Sequence, residues 1–475
     1  MKRTLLSFAI VCGLTSGLFA DDLADMKAEL EALNKKVSKL EKKQKRTNKT
    51  LSKVKKNSAN DNIKFDIDFR TSYDNLQYKT AKGNNYSNNG LYSNRLWLGM
   101  GYSPTSTMIF KGQLAFNKAF GEQYNTSAGK TAYNSFDWVV NENLTDDTLK
   151  VREAYWLWMP HAFGQDWTLS IGRRPATNGY LINLRDDDKA KSPMGHIINM
   201  EFDGFSGSIR LGKYVPGMYV KLCLGRGLTS ATNRFDKTGL DYTKEDTSSS
   251  LDNMDLVGLI FKPYDNGQYS LMTKYYRAFN VVGNDMTVDG NSTNPVMKSF
   301  GDIDGMAISG KIEGIGDEIN DFLDETIVFA SFAASQTLPN GSQEMLGSVN
   351  KEIGTSFWLG TQMPNFTGGK FGLEYNHGSK YWRPFTYAED TMIGSKMATR
   401  GSAYEAYWTQ PIIKVDGKSV FSMQIRYTYL DYDYTGSQAF FGDGGKPLSM
   451  EEAKAAGQDP VEIAQDLRVY FRYRY

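Results

Sequence analysis

The last ten residues, Asp466–Tyr475, read DLRVYFRYRY, with apolar and cationic positions alternating almost without a break. Successive side chains of a strand point to opposite faces. Leu467, Val469, Phe471, Tyr473 and Tyr475 therefore share one face, and Arg468, Tyr470, Arg472 and Arg474 the other. One face is greasy and the other cationic. A soluble sheet would bury the greasy face in a core; a barrel in a membrane would turn it to lipid and the arginines inward. The rest of the sequence decides between them.

The chain has 475 residues, 40% of them hydrophobic, and a formal net charge of +1. Its mean hydropathy of -0.48 excludes a bundle of membrane helices. Beyond the N-terminus no apolar run approaches the ~20 residues a spanning helix needs. The 28 Tyr, 26 Phe and 8 Trp, set beside 45 Gly and 13 Pro, suit the aromatic girdles of a membrane barrel.

Residues 1–20 read as a secretory signal peptide: Lys2 and Arg3, an apolar stretch from Leu5 to Phe19, then Ala20 before two aspartates. Its removal leaves Cys223 as the single cysteine, so no intramolecular disulfide is expected. Residues 21–57 carry a heptad seam of Leu23, Met26, Leu30, Leu33, Val37, Leu40, Leu51 and Val54, interrupted by polar Gln44 and Thr47. The pattern predicts a periplasmic α-helical coiled coil about 50 Å long. Its heptads argue for association, with a homotrimer favoured, although a barrel of this size can also stand alone. With 12 Lys and Arg against 6 Asp and Glu, the helix is either a solvated spacer or a contact for peptidoglycan or another anionic envelope component.

From residue 58 to Tyr475 the period switches to two. Sixteen candidate strands can be drawn, from Ile63–Leu76 to Asp466–Tyr475, with Leu91–Tyr102, Gln268–Phe279 and Asp304–Gly314 among them. Connections after odd strands hold roughly 14 to 31 residues and those after even strands roughly 4 to 10, a contrast larger than the boundary error. Turn chemistry marks the short ones: Pro104, Pro160, Pro216, Asp265-Asn266-Gly267 and Asp416-Gly417. Long loops on one rim and short turns on the other predict a transmembrane antiparallel β-barrel of about sixteen strands (16–18), all-β apart from the coiled coil. Closure satisfies every backbone donor and acceptor within lipid, as an open sheet cannot.

Alternating apolar positions ending on an aromatic, here Leu467, Val469, Phe471, Tyr473 and Tyr475, resemble the C-terminal signal read by the outer-membrane assembly machinery of Gram-negative bacteria. The stretches VREAYWLW (151–158), LSIGRRPATNG (169–179), RGSAYEAYWTQPI (400–412) and IRYTYLDYDYTGSQAFFG (425–442) resemble a porin-like family of Campylobacter and related epsilonproteobacteria. The resemblance covers about Asn62 to Tyr475. It implies a location in the outer membrane, lipid and the assembly machinery as partners, and passive diffusion of ions and small hydrophilic solutes.

In general porins of this layout the third long loop narrows the channel; here that loop is 174–203. It sets Arg174, Arg185, Lys189 and Lys191 against Asp186, Asp187, Asp188 and Glu201, and opposed charges across a pore make a transverse field. An ordinary solvated loop, or a surface carboxylate group holding a divalent cation, is the competing reading of LRDDD. Parity nominates Arg210, Lys221, Cys223, Glu374, Gln424, Arg426, Arg468 and Arg472 as further pore-lining residues, and Arg173 joins them beside the loop. The barrel segment carries 41 basic and 48 acidic residues, and the excess acid is expected on long loops such as DYTKED, Asp241 to Asp246.

Enzymes are poor rivals. His161, His196 and His377 form no metal-ligand repeat, and Ser208 replaces a glycine that the nucleophile elbow requires in GFSGS. YNTSAGKT (124–131) ends like a phosphate-binding loop but has Tyr124 where the first glycine belongs. No catalytic residue, metal or cofactor is expected, and no nucleic-acid partner. A membrane-bound kinase or hydrolase is the remote alternative. The nearer one is a non-conducting structural or adhesive barrel that tethers the envelope through its coiled coil, with LSMEEAKAAGQDPVEIAQ (448–465) covering its mouth.

Overall fold

The computed structural model describes residues 63–121, 149–174, 176–229, 252–285, 296–316, 319–386, 391–438, 441–442 and 445–475. The expected signal peptide and coiled coil, YNTSAGKT and DYTKED lie outside them.

Sixteen long strands form the wall: β1 Lys64–Thr80, β2 Asn85–Tyr102, β3 Met108–Ala119, β4 Leu149–Trp158, β5 Gln165–Arg174, β6 Phe202–Arg210, β7 Tyr219–Leu228, β8 Met254–Asp265, β9 Tyr269–Asp285, β10 Val296–Glu313, β11 Ile327–Pro339, β12 Ile353–Pro364, β13 Lys370–Gly378, β14 Gly401–Val415, β15 Lys418–Tyr432 and β16 Val461–Arg474. Each pairs antiparallel with its sequence neighbours, and β16 returns to pair with β1, so the sheet closes. Two-residue strands at His161–Ala162 and Phe441–Gly442 add to its edges.

Alternation is the physical basis of the wall. On β16, Leu467, Phe471 and Tyr473 are about 40% exposed while Arg468, Tyr470 and Arg472 are nearly inaccessible. The same outward set continues round the circumference through Phe205, Leu259, Met306, Phe332, Leu373 and Tyr404, all exposed. An apolar outside and a polar inside are the inverse of a soluble sheet and fit a lipid surround. The closing seam is ionic: Asp74 stands opposite Arg468 and pairs with it, and Asp68 pairs with Arg472.

Strand ends differ from the sequence expectation. β1 and β2 run on to Thr80 and back from Asn85, closing on a tight hairpin with Gly83 at φ 88°, and β9 and β10 likewise extend to Asp285 and from Val296. Two of the expected long loops therefore shrink to 81–84 and 286–295. These extensions, such as Asn85 to Asn89, lack hydrophobic alternation, so periodicity could not see them. β16 also starts at Val461, which takes VEIAQ out of the stretch expected to cover the mouth; a helix there spans Met450–Ala455. Its capping box, Ser449 with Glu452, satisfies the first-turn donors.

Candidate functional site: a loop held inside the barrel

The connection from β5 to β6 turns into the barrel. Gly172, at φ 126°, allows the sharp exit: a Cβ there would meet the Ala154 carbonyl oxygen at 2.3 Å. Parity then divides the two arginines that follow. Arg173 lies on the outer side, bonded to the Val151 carbonyl at 2.7 Å and beside exposed Asp203, so it does not line the interior as expected. Arg174 faces inward, its guanidinium 4.5 Å from the Tyr155 ring centroid. Within the loop, Asn183 braces the chain by accepting from Leu181 N and donating to the Asp188 carbonyl at 2.8 Å. Leu181 (φ 79°) and Asp187 (φ 53°) hold left-handed backbone that costs roughly 1–3 kcal/mol each, so the surroundings must over-determine it.

Two kinds of wall supply that. On one side Tyr180, Ile182, Leu184, Met194, Ile197 and Ile198 join Ile260, Met272, Tyr276, Ile303, Phe329 and Trp358 in one buried apolar cluster. The connection from β13 to β14, residues 379–400, enters the same space: Trp382, Phe385 and Met397 belong to the cluster, and Ile198 bridges to Phe385. His196 sits between Ser331 and Ser356 hydroxyls at 2.7 and 2.9 Å, with Trp358 and Trp382 edge-on. Burial pulls its pKa down to about 3, so the imidazole is neutral.

The opposite side is ionic. Arg185 donates to Glu405 on β14 at 3.2 Å, where Lys396 (2.5 Å) and the Thr428 hydroxyl (3.0 Å) also converge and Arg426 lies 4.0 Å away. Lys396 also reaches Glu374 (2.6 Å), which accepts from Trp358 Nε1. The acidic run docks onto the last strand: Tyr470 donates to Asp186, Arg472 to the Asp186 carbonyl (2.9 Å) and Asp188 (3.0 Å), and Arg474 to the Asp187 carbonyl (3.2 Å). Lys370, the first residue of β13, pairs with Asp187 at 2.5 Å. Since Lys370 and Arg474 stand at the short-turn rim, the loop descends nearly the full depth of the wall. Gln362 and Gln424 hold the carbonyls of Leu184 and Arg185. At the third contact Lys191 meets Glu153, Arg152 bonds Thr177, and Thr177 donates to Glu201.

Of the residues nominated from sequence, Arg174, Arg185, Asp186, Asp187, Asp188, Lys221, Glu374, Arg426, Arg468 and Arg472 lie inside, but as paired or docked groups and not as charges facing each other across open water. Arg426 and Arg468 are fully inaccessible. Arg210 ends β6 at the short-turn rim and is exposed. LRDDD is neither a solvated loop nor a metal cluster: among the described residues no group of three or more His, Cys, Asp or Glu is arranged to hold a metal ion. Sequence reasoning missed Arg70, Asp74 and Arg95, which parity could have found. It also missed Arg152, Glu153, Lys396 and Glu405. Arg152 was invisible because a bulge opposite Gln113 and Leu114 turns both it and Glu153 inward.

The region that builds this interior also fixes the chain's relationships. The chain belongs to the DUF3373 family. That family, described as "Protein of unknown function (DUF3373)", matches residues 85–475, from the second strand to the last arginine ladder. No curated protein matches the chain. Among solved structures it is similar to OmpT (in-vitro folded), an outer membrane protein of Vibrio cholerae, with 11% identity over 87% of this chain and 97% of that one and a TM-score of 0.44. It is similar to the anion-selective porin from Comamonas acidovorans at 10% identity, covering 87% and 99%, with a TM-score of 0.46. Salmonella typhi OmpF in complex with daunomycin shares 9% identity, covering 88% and 99%, at 0.45. The sixteen-strand closure itself stands on this family member's own strand register.

Proposed function

We propose that the protein is an outer-membrane porin for passive diffusion of ions and small hydrophilic solutes, with the β5–β6 loop as its constriction. The observation that carries this is the closed sixteen-strand wall, apolar outside and charged within. An anchor needs far fewer strands, and buried ion pairs are a poor way to stabilise one, since apolar residues of similar volume do as well or better. The route runs along the ionic side, where inward-facing Asp66 and Lys111 and the Asp187–Lys370 pair are exposed at the short-turn rim. Export by residues 1–20, assembly through the C-terminal alternation, kinship with Campylobacter-type porins, and a coiled coil at 21–57 that trimerises or meets an anionic envelope component belong to the same reading.

One observation favours a second reading, a non-conducting barrel with a structural or adhesive role. Met450 and Ala453 of the helix Met450–Ala455 pack against Leu76, Leu430, Tyr432 and Ala464 at the long-loop rim and cover part of the mouth. Liposome swelling separates the two. Proteoliposomes should swell in small neutral sugars, and faster when Ala453→Glu expels the helix. Folded barrels that give no swelling in either form would favour the structural reading.

A further inference from the structure

Away from the ionic side, three cations converge with no carboxylate among them. Lys221 on β7 and Lys274 on β9 lie on the same inner face, each opposite Ile260 of β8 in the register. Two interstrand spacings put their backbones about 9–10 Å apart. Arg174 closes the group from β5. Lys221 and Lys274 are both more than nine-tenths buried. Lys221 donates to the Ser192 hydroxyl at 2.7 Å, and Arg174 to the Ser170 hydroxyl. Lys274 makes no hydrogen bond or ion pair with any described residue. All three line one cavity of ≈ 60 Å³, together with Ser192, Ser206 and Cys223.

Like charges held close in a low-dielectric interior repel, and a buried ammonium without a partner is strongly unfavourable. The remaining walls, among them Ile198, Phe202 and Ile260, are apolar, and the Cys223 thiol is the one acidic group in the lining. We infer that this cavity is an anion-binding site that takes a small inorganic anion, halide-sized or slightly larger, between Lys274, Lys221 and Arg174. A water needs about 10–15 Å³ of such volume, so the space admits a desolvated halide with companion waters and is too small for an anion the size of gluconate. The hydroxyls of Ser192 and Ser206 supply neutral donors. The site is independent of the conduction route, because it is set into the apolar side.

The probe is bromide. Crystals of the full chain grown in bromide should show one anomalous peak between Lys221, Lys274 and Arg174. Bromide peaks elsewhere with none in the cavity would overturn the assignment. In detergent solution the apparent unfolding midpoint should rise by about 2–4 °C when sodium gluconate is replaced by sodium chloride at equal ionic strength. Lys274→Met should lose that rise and, in gluconate, match or exceed the unsubstituted protein, because an unpaired buried charge is gone. Equal midpoints of the unsubstituted protein in both salts would also refute the site. Should Lys274→Met fail to fold, the bromide map needs no variant and Lys221→Met repeats the salt comparison.

Discussion

The inserted loop touches two walls that hold it by different physics. Against β8–β12 it is a hydrophobic plug, with Met194 and Ile197 completely buried beside Trp358 and Tyr276. Against β13–β16 and β1–β4 it is a rung in an ion ladder, Asp186 to Asp188 on Arg472 and Arg474, Arg185 on Glu405. Apolar contacts stabilise in proportion to area and hardly discriminate between partners. Buried ion pairs contribute little net stability but punish any mismatch, so they define where the loop sits. The apolar side supplies adhesion, and the ionic side supplies registration.

The largest expected effect breaks the ionic side. Arg468→Met leaves Asp74 buried without its cross-strand partner and should destabilise the barrel by about 3–5 kcal/mol in denaturant unfolding into lipid, whereas Arg468→Met with Asp74→Leu should recover most of it. On the apolar side, Met194→Ala opens a cavity costing about 2–5 kcal/mol, and no second small substitution should restore it. Equal rescue on both sides would erase the distinction.

pH sharpens the contrast. His196 is neutral when buried, with a pKa near 3, and takes a proton near 6.5 once released. The released state then binds more protons between those values, so loop insertion is fully favoured above pH 6.5 and weakens progressively as pH falls toward 3. Protease nicking of the loop should rise across that window and lose its pH dependence in His196→Gln. The smallest effect belongs to the exposed Lys370–Asp187 pair: Lys370→Ala should change stability by less than about 1 kcal/mol, and less still in high salt.

Much of the fold was legible because lipid imposes alternation on every wall residue it touches. Leu467 to Tyr475 displays that pattern, and the rhythm of turns at Pro104, Pro160 and Asp416-Gly417 supplied the strand count. Strand ends beyond the lipid, at Thr80 and Asp285, carried no such constraint. The interior was only half legible. Parity placed Arg468 and Arg472, but which partner each would meet depends on a loop folding back across the barrel. Arg152 needed a bulge, and Lys396, Trp382 and Met397 lie in a connection whose polar composition reads as external.

Single-channel recording in a planar bilayer, with reversal potential under a salt gradient, tests the central claim most directly. Discrete conductance steps are predicted, with a reversal potential that shifts toward anions in Asp187→Asn, where an exposed carboxylate on the proposed route loses its charge. A folded barrel that never conducts, or one whose selectivity ignores Asp187, would contradict it.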